Sequence, residues 1–219
     1  MASSIVQFAN GTFDPESHCY KNSAGREVPS VTQVLDSVGL VDYSRVPRDV
    51  LENKRRIGDA AHFAIHLFES NDLDPYSVQA EYAGYVEAYM NFREEMQWEP
   101  ESTETSGIFT VHGMDFAYTW DGFGRIKGSK TLSKYRTVLE IKCTADEEPS
   151  WKYQLAAYAL TVPREKDEHI ARVTVKLSPD ATYKPFLYDQ PRDKDTFLYS
   201  LSIVNVKINE GLPWKRERL

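Results

Sequence analysis

The chain has few of the features that mark secreted, membrane-spanning or cluster-binding proteins. Two cysteines, Cys19 and Cys143, among 219 residues exclude a framework of several disulfides and, within this chain, an iron–sulfur cluster held by four thiolates. No apolar run is long enough to span a membrane. The first residues lack the charged and apolar regions of a secretion signal. We therefore expect a cytoplasmic, intracellular protein that has no membrane partner.

Positive charge is in the minority, since 26 Lys and Arg residues oppose 33 Asp and Glu residues and give a net charge of −7. This balance argues against a protein that coats nucleic acid. It does not exclude one that acts on nucleic acid, because a local cluster of cations suffices at a phosphate track. Such clusters occur around Arg55 and Arg56 and around Lys127 and Lys130. Each of these residues is either a solvated surface charge or a phosphate contact.

Hydrophobic periodicity and turn signals predict an irregular or short-stranded start over residues 1–28, followed by alternating helices and strands. The predicted helices span residues 30–39, 48–70, 77–98, 151–161 and 192–210, and the predicted strands 103–111, 114–126, 136–143, 171–177 and 183–188. This order predicts one α/β (α+β) domain over residues 1–219, mainly helical to about residue 99 and with its sheet core from about residue 100.

The most informative segment is Glu140-Ile141-Lys142, at the end of an apolar strand. Side chains alternate along a strand, so Glu140 and Lys142 project from the same side. If the preceding strands form an antiparallel meander with a turn centred between Lys130 and Thr131, Asp121 lies opposite Glu140. Burying such charges is costly unless they are paired. A divalent metal bound by Asp121 and Glu140 beside Lys142 would satisfy this requirement.

These residues resemble the signature of the PD-(D/E)XK nuclease superfamily, in particular its RecB-like exonuclease branch of phage-type and mitochondrial genome maintenance exonucleases. Asp121 matches the acid of the second core strand, and Glu140-Ile141-Lys142 matches the triplet of the third. Gln154 and Tyr158 match the Q-x-x-x-Y motif of the following helix. His62 matches the histidine of the G-x-x-x-H segment. The segment Pro29–Thr32 resembles one near the start of these enzymes.

Two positions depart from the family pattern. The acid usually follows a Gly-Thr-x motif, whereas Tyr118-Thr119-Trp120 precedes Asp121 here. The triplet is usually followed by Thr, whereas Cys143 precedes Thr144. Neither departure removes a reacting group, so we interpret both as divergence.

The resemblance implies a restriction-endonuclease-like core, with a central mixed sheet flanked by helices and a helical N-terminal elaboration. It also implies a Mg²⁺ or Mn²⁺ ion held by His62, Asp121, Glu140 and the backbone carbonyl of Ile141, ligands that suit these hard cations. The implied catalytic residues are Asp121, Glu140, Lys142, Gln154 and Tyr158. Glu104 is a candidate assisting acid of the first strand, with Glu101 as the alternative.

DNA is the implied partner, as linear ends or single strands, and the implied contacts are Ser30, Thr32, Arg55, Arg56, Lys127, Lys130 and Trp151. The implied function is that of a metal-dependent deoxyribonuclease, an exonuclease of recombination, replication or repair. The resemblance also implies a phage-encoded protein that acts in the host cytoplasm. A recombination or replication protein is a possible further partner. A structure-specific endonuclease and a catalytically silent DNA-binding subunit are the alternatives.

Structural roles remain open for several of these residues. Glu140 and Lys142 could form a structural ion pair, and Asp121 could be a turn residue before Gly122. His62 and Tyr158 could simply be packed in the core. Capping of the helix that follows explains Ser30 equally well. His62 and His66 form an H-x-x-x-H pair without the Glu of zinc proteases, which excludes that class.

Overall fold

A computed structural model describes residues 5–15, 17, 19–42, 46–144 and 146–215, so residues 1–4 and 216–219 of the predicted domain lie outside it. The chain is a mixed α and β structure with five helices and two sheets in this described part, which confirms the predicted fold class. The helices are α1 (Val31–Ser37), α2 (Arg48–Glu69), α3 (Ala80–Glu95), α4 (Trp151–Thr161) and α5 (Arg192–Asn209).

A small antiparallel sheet of four short strands, in the order β1-β2-β3-β4, lies between Val6 and Val28. These strands are β1 (Val6–Phe8), β2 (Gly11–Asp14), β3 (Cys19–Asn22) and β4 (Glu27–Val28). Buried Tyr20 and Val28 pack against Ile108 and Ala117 of the larger sheet. These strands agree with the short-stranded start predicted for this part of the chain.

The larger sheet has five strands in the order β5-β6-β7-β8-β9, of which β7 and β8 are parallel and the other neighbours antiparallel. These strands are β5 (Trp98–Val111), β6 (Met114–Ile126), β7 (Arg136–Lys142), β8 (Ile170–Leu177) and β9 (Tyr183–Tyr188). The predicted antiparallel meander and mixed central sheet are confirmed.

The third helix ends earlier, and β5 begins earlier, than the sequence predicts. Helix α3 stops at Glu95, and Trp98 already pairs with Ile126 across the sheet. The side chain of Trp98 is 2% exposed in the core between helices and sheet. The reversal at Gln97 (φ +48°) carries the chain from α3 into β5. Burial of Trp98 therefore outweighs the helical periodicity that precedes it.

The two faces of the five-stranded sheet bury separate apolar clusters. Val138 of β7 packs with residues of α1, α4 and α5, whereas Leu139 and Ile141 pack with residues of α2 and α3. This alternation is that of a strand buried on both sides. Helix α4 is the crossover between parallel strands β7 and β8. No helix in the described part of the chain is long and apolar enough to cross a membrane.

Candidate metal and active site

The site forms where strands β6 and β7 separate. Their backbone ladder ends at the pair Gly122↔Leu139, and one step further in the same register brings Asp121 level with Glu140. The predicted register is therefore correct. Past the last pair, the Asp121 carboxylate replaces the backbone as acceptor, because its Oδ2 accepts a 2.6 Å hydrogen bond from the Ile141 amide. This contact ties the acid of β6 to the middle of the triplet on β7.

His62 of helix α2 lies against the same carboxylate, with Nδ1 3.3 Å from Asp121 Oδ1. Burial alone would lower the pKa of His62, but the charge of Asp121 and the hydrogen bond to it raise the pKa to about 9. Burial acts to raise the pKa of Asp121, but the His62 charge and hydrogen bonds from His62 and Ile141 bring it below its ordinary value. His62 therefore lies in direct contact with the acid, and its role as a metal ligand stays a prediction.

Glu140 is 5% exposed, and only one of its two carboxylate oxygens has hydrogen-bond partners among the described residues. Its Oε1 accepts hydrogen bonds from Lys142 Nζ at 2.7 Å and from Gln154 Nε2 at 2.9 Å. Its Oε2 is buried and has no hydrogen-bond partner among the described residues. Burial and the nearby Asp121 charge raise the pKa of Glu140 to about 7, against the opposing effect of Lys142. A buried, unpartnered carboxylate oxygen is the position at which a cation is expected.

Gln154 and Tyr158 face the site from one side of helix α4. Gln154 Nε2 donates to Glu140 Oε1 and lies 2.8 Å from the Tyr158 hydroxyl. Gln154 therefore holds the Glu140 carboxylate in place. Tyr158 is 4% exposed, and burial raises its pKa well above its ordinary value. Its hydroxyl accepts from Gln154, and the catalytic role of Tyr158 stays a prediction.

Glu104 of strand β5 completes the acidic cluster. It lies between the pairs Thr103↔Gly122 and Thr105↔Trp120, level with Asp121. Ligand atoms of His62, Glu104 and Asp121 lie within 4.8 Å of one another. Burial and the Asp121 charge raise the pKa of Glu104 to about 7. Its φ of +45° is unusual for a residue with a side chain and is of the kind that functional sites retain.

A cavity of about 460 Å³ opens onto this cluster. Its lining residues are Asp59, His62, Phe63, His66, Glu104 and Asp121. Four of them share one face of helix α2, because their spacings of three and four residues are those of successive helical turns. This spacing is visible in the sequence around His62, but it does not by itself mark Asp59 or Phe63 as site residues. His66 Nδ1 is buried without a partner among the described residues.

The four predicted basic contacts differ in their partners. Arg56 is bonded to Glu81 and to Asn53, whose Oδ1 accepts a 2.9 Å hydrogen bond. Lys127 forms a 2.6 Å ion pair with Glu99. Arg55 and Lys130 are exposed on the surface. Phosphate contact by these four residues stays a prediction.

Ser30 and Thr32 lie at the start of helix α1, where Ser30 is buried and Thr32 is exposed. Ser30 is the N-cap of α1, and its side chain accepts from the Gln33 amide in a capping box. Its hydroxyl also lies 3.1 Å from that of Thr32. The capping interpretation accounts for Ser30, while a phosphate contact by Thr32 stays a prediction.

Trp151 lies in the first turn of helix α4. Its side chain is 2% exposed, and its ring packs edge-on against Phe186 of strand β9 with centroids 5.8 Å apart. Trp151 therefore has a packing role in this structure, and contact with DNA stays a prediction.

The side chains present fit a hard divalent cation. The donor set comprises carboxylate oxygens of Glu104, Asp121 and Glu140 with an imidazole nitrogen of His62, which suits Mg²⁺ or Mn²⁺. The buried, unpartnered Oε2 of Glu140 is the observation that favours a cation here. The backbone of Ile141 contributes its amide to Asp121, and coordination by its carbonyl stays a prediction.

Comparison with known proteins gives similarity in structure alone. No family model matches the chain, and no curated protein matches its sequence. Among solved structures, it is similar to a crystal structure from Eubacterium rectale described as a "Putative exonuclease". The two share 11% sequence identity with a TM-score of 0.55, over 88% of this chain and 85% of the other. At this identity the comparison shows a common fold.

Proposed function

We propose that this protein is a metal-dependent deoxyribonuclease, and that it acts as an exonuclease on DNA ends or single strands in recombination, replication or repair. The observation that carries this proposal is the meeting of His62, Asp121, Glu140 and Lys142 where β6 and β7 separate. The similarity in fold to a protein described as an exonuclease supports it. The resemblance of the motifs to RecB-like exonucleases supports the finer assignment.

His62, Glu104 and Asp121, whose ligand atoms lie within 4.8 Å of one another, would hold the cation, and Glu140, level with Asp121 on the neighbouring strand, would be a further ligand. A bound Mg²⁺ or Mn²⁺ supplies a more acidic water and neutralises charge on the phosphate. The unpartnered Glu140 Oε2 is the oxygen free for coordination, since Oε1 is engaged by Lys142 and Gln154. The Ile141 amide orients Asp121 by occupying its Oδ2. The protein therefore holds its ligands in place before substrate arrives.

Lys142 has a different task, because its ammonium group donates and does not coordinate a cation. It is 2.7 Å from Glu140 and its side chain is 21% exposed, so it reaches the edge of the site. From there it can orient an attacking water and offset charge that develops on the phosphate. Gln154 fixes the carboxylate with which Lys142 pairs, and Tyr158 supports Gln154. Gln154 and Tyr158 are thus positioning residues.

The test is degradation of end-labelled linear DNA and of closed circular DNA, single- and double-stranded, with Mg²⁺, Mn²⁺ or EDTA. We expect loss of linear DNA with either metal and none with EDTA. Survival of closed circles identifies an exonuclease, because a strict exonuclease cannot start on them. Cleavage of closed circles would instead indicate a structure-specific endonuclease. DNA binding without cleavage under any condition would contradict the proposal and favour a silent binding subunit.

A further inference from the structure

Phe63 is the unusual apolar side chain of the candidate site. All ten phenylalanines of the chain lie in its described part, and Phe63 alone is exposed, at 63%. It belongs to none of the three apolar clusters of described residues, and no other described aromatic ring packs against it. Packing of the protein core therefore does not explain its presence.

Exposure of one apolar side chain is common and means little by itself. The position of Phe63 indicates a role in binding, because Phe63 lines the same cavity as His62, Glu104 and Asp121. The remaining lining side chains, Asp59 and His66, are polar or charged. A phenyl ring contributes no ligand to a cation. It does offer an apolar face beside the carboxylates.

The cavity of about 460 Å³ is within the range of pockets that hold small organic molecules. A nucleotide whose phosphate lies at the carboxylates has a base within the same small volume. Aromatic side chains bind bases by stacking, and they do so without sequence preference because every base has a π face. A base is free to stack on a protein ring only when it is unpaired.

We infer that Phe63 is the stacking surface for the base next to the phosphate that is cut, and that the site consequently takes single-stranded or frayed DNA ends. This inference rests on the proposed function and names the substrate class of the same site. The ring holds the terminal nucleotide by its base while Asp121 and Glu140 face its phosphate. A fully paired end must open before it enters.

Binding is measured first, in a Lys142→Ala background with Mg²⁺, so that the strand is held without being cut. The probes are short single strands with 2-aminopurine at the 5′ or the 3′ end, whose fluorescence falls on stacking. Phe63→Ala is expected to abolish the quenching and weaken binding about 5- to 100-fold, the usual effect of losing one stacked base. Phe63→Tyr keeps the ring and should retain both. Tyr199→Ala is the matched control, since Tyr199 is a 72% exposed aromatic on helix α5.

Cleavage then separates stacking from a structural role. Strands with a normal or an abasic terminal nucleotide are cut by enzyme with Lys142 intact. We expect the native enzyme to cut the abasic end about 5- to 100-fold more slowly than the normal end. Phe63→Ala should cut both ends at the same rate, because the variant has no ring on which a base could stack. The inference is overturned if Phe63→Ala binds and cuts normal ends as the native enzyme does. It is also overturned if the substitution slows cleavage of normal and abasic ends by the same factor. If the native enzyme neither binds nor cuts DNA, both the proposed function and this inference are wrong.

Discussion

The Asp121 carboxylate accepts a 2.6 Å hydrogen bond from the Ile141 amide where the β6–β7 ladder ends. This contact makes the position of the acid on β6 depend on that of the triplet on β7. It also leaves Asp121 Oδ1, beside His62, as the oxygen directed at the acidic cluster.

Asp121→Asn should separate metal binding from folding. The amide oxygen of Asn can still accept from Ile141, so the fold should be kept, although at neutral pH the metal-free protein loses the attraction between the Asp121 charge and protonated His62. Cleavage should fall more than about 100-fold, because loss of a partner outside the coordination shell already costs 10- to 100-fold. Isothermal titration with Mn²⁺ and a cleavage assay test this. The control is Asp115→Asn, outside the site and bonded to Asn22 and Thr110. Unchanged Mn²⁺ affinity in Asp121→Asn would contradict the assignment of Asp121 as a ligand.

Lys142→Ala should abolish cleavage and leave the fold and DNA binding largely intact. Its ammonium pairs with Glu140 at 2.7 Å, but Gln154 still holds the same carboxylate oxygen. Single-turnover cleavage, circular dichroism and DNA-binding anisotropy measure the three properties. Lys184→Ala is the matched control, because Lys184 is exposed on strand β9 over the Phe186 ring. Turnover retained in Lys142→Ala would exclude the proposed role of this lysine.

Gln154 and Tyr158 should affect stability and rate to different extents. Gln154→Ala removes the hydrogen bond that the buried Tyr158 hydroxyl accepts from Gln154. We therefore expect the free energy of unfolding to fall by about 1–3 kcal/mol. Tyr158→Phe removes the hydroxyl itself and should cost about 1 kcal/mol. Urea denaturation gives both values. Gln154→Ala should also lower kcat, since Glu140 loses an orienting contact. Equal stability of native protein and Gln154→Ala would show that the buried contact contributes nothing.

Metal affinity should rise with pH between about 6 and 9. Burial raises the pKa of both Glu104 and Glu140 to about 7, and the Asp121 charge raises that of His62 to about 9 despite burial. All three groups bind protons below these values and must release them to coordinate a metal. As pH rises the protons leave, so competition with the metal weakens. Calorimetric titration with Mn²⁺ in buffers of different ionisation enthalpy counts the protons released. Affinity and proton release that do not vary with pH would contradict this ligand set.

Two substitutions of Trp151 should distinguish a role in core packing from a role in DNA contact. The ring is buried against Phe186, so Trp151→Ala should cost about 3–5 kcal/mol of stability. Trp151→Phe should recover much of this loss and bind DNA as the native protein does. Thermal denaturation and DNA-binding anisotropy of the two variants make the comparison. Weaker DNA binding by a fully folded Trp151→Phe would instead support Trp151 as a DNA contact.

The part of the site built on neighbouring strands could be predicted from the sequence. Side-chain alternation places Glu140 and Lys142 on one side of β7, and the turn after β6 fixes the register that brings Asp121 level with Glu140. The helical spacing of Gln154 and Tyr158 likewise predicts their shared face. Each of these relationships depends on local geometry that is the same in any fold.

Relationships between distant elements were harder to predict. Trp98 leaves the helical pattern because its ring fills the core, and Trp151 is buried because β9 folds over α4. The position of Phe63 beside Glu104 and Asp121 likewise depends on how α2 packs against the sheet. No periodicity encodes which element covers a given face. The motif resemblance supplied His62, whereas the place of Asp59 and Phe63 in the site follows only from the three-dimensional arrangement.

The most direct test of the central claim is cleavage of a single strand with one sulfur replacing a non-bridging oxygen at the scissile phosphate. Each phosphorothioate diastereomer is compared with the normal strand in Mg²⁺ and in Mn²⁺, with Asp121→Asn as control. We predict slow cleavage of one diastereomer in Mg²⁺ that recovers in Mn²⁺, which binds sulfur better, and no cleavage by Asp121→Asn. Equal cleavage of normal and sulfur-substituted strands with both metals and with EDTA would contradict a metal-dependent nuclease at this site.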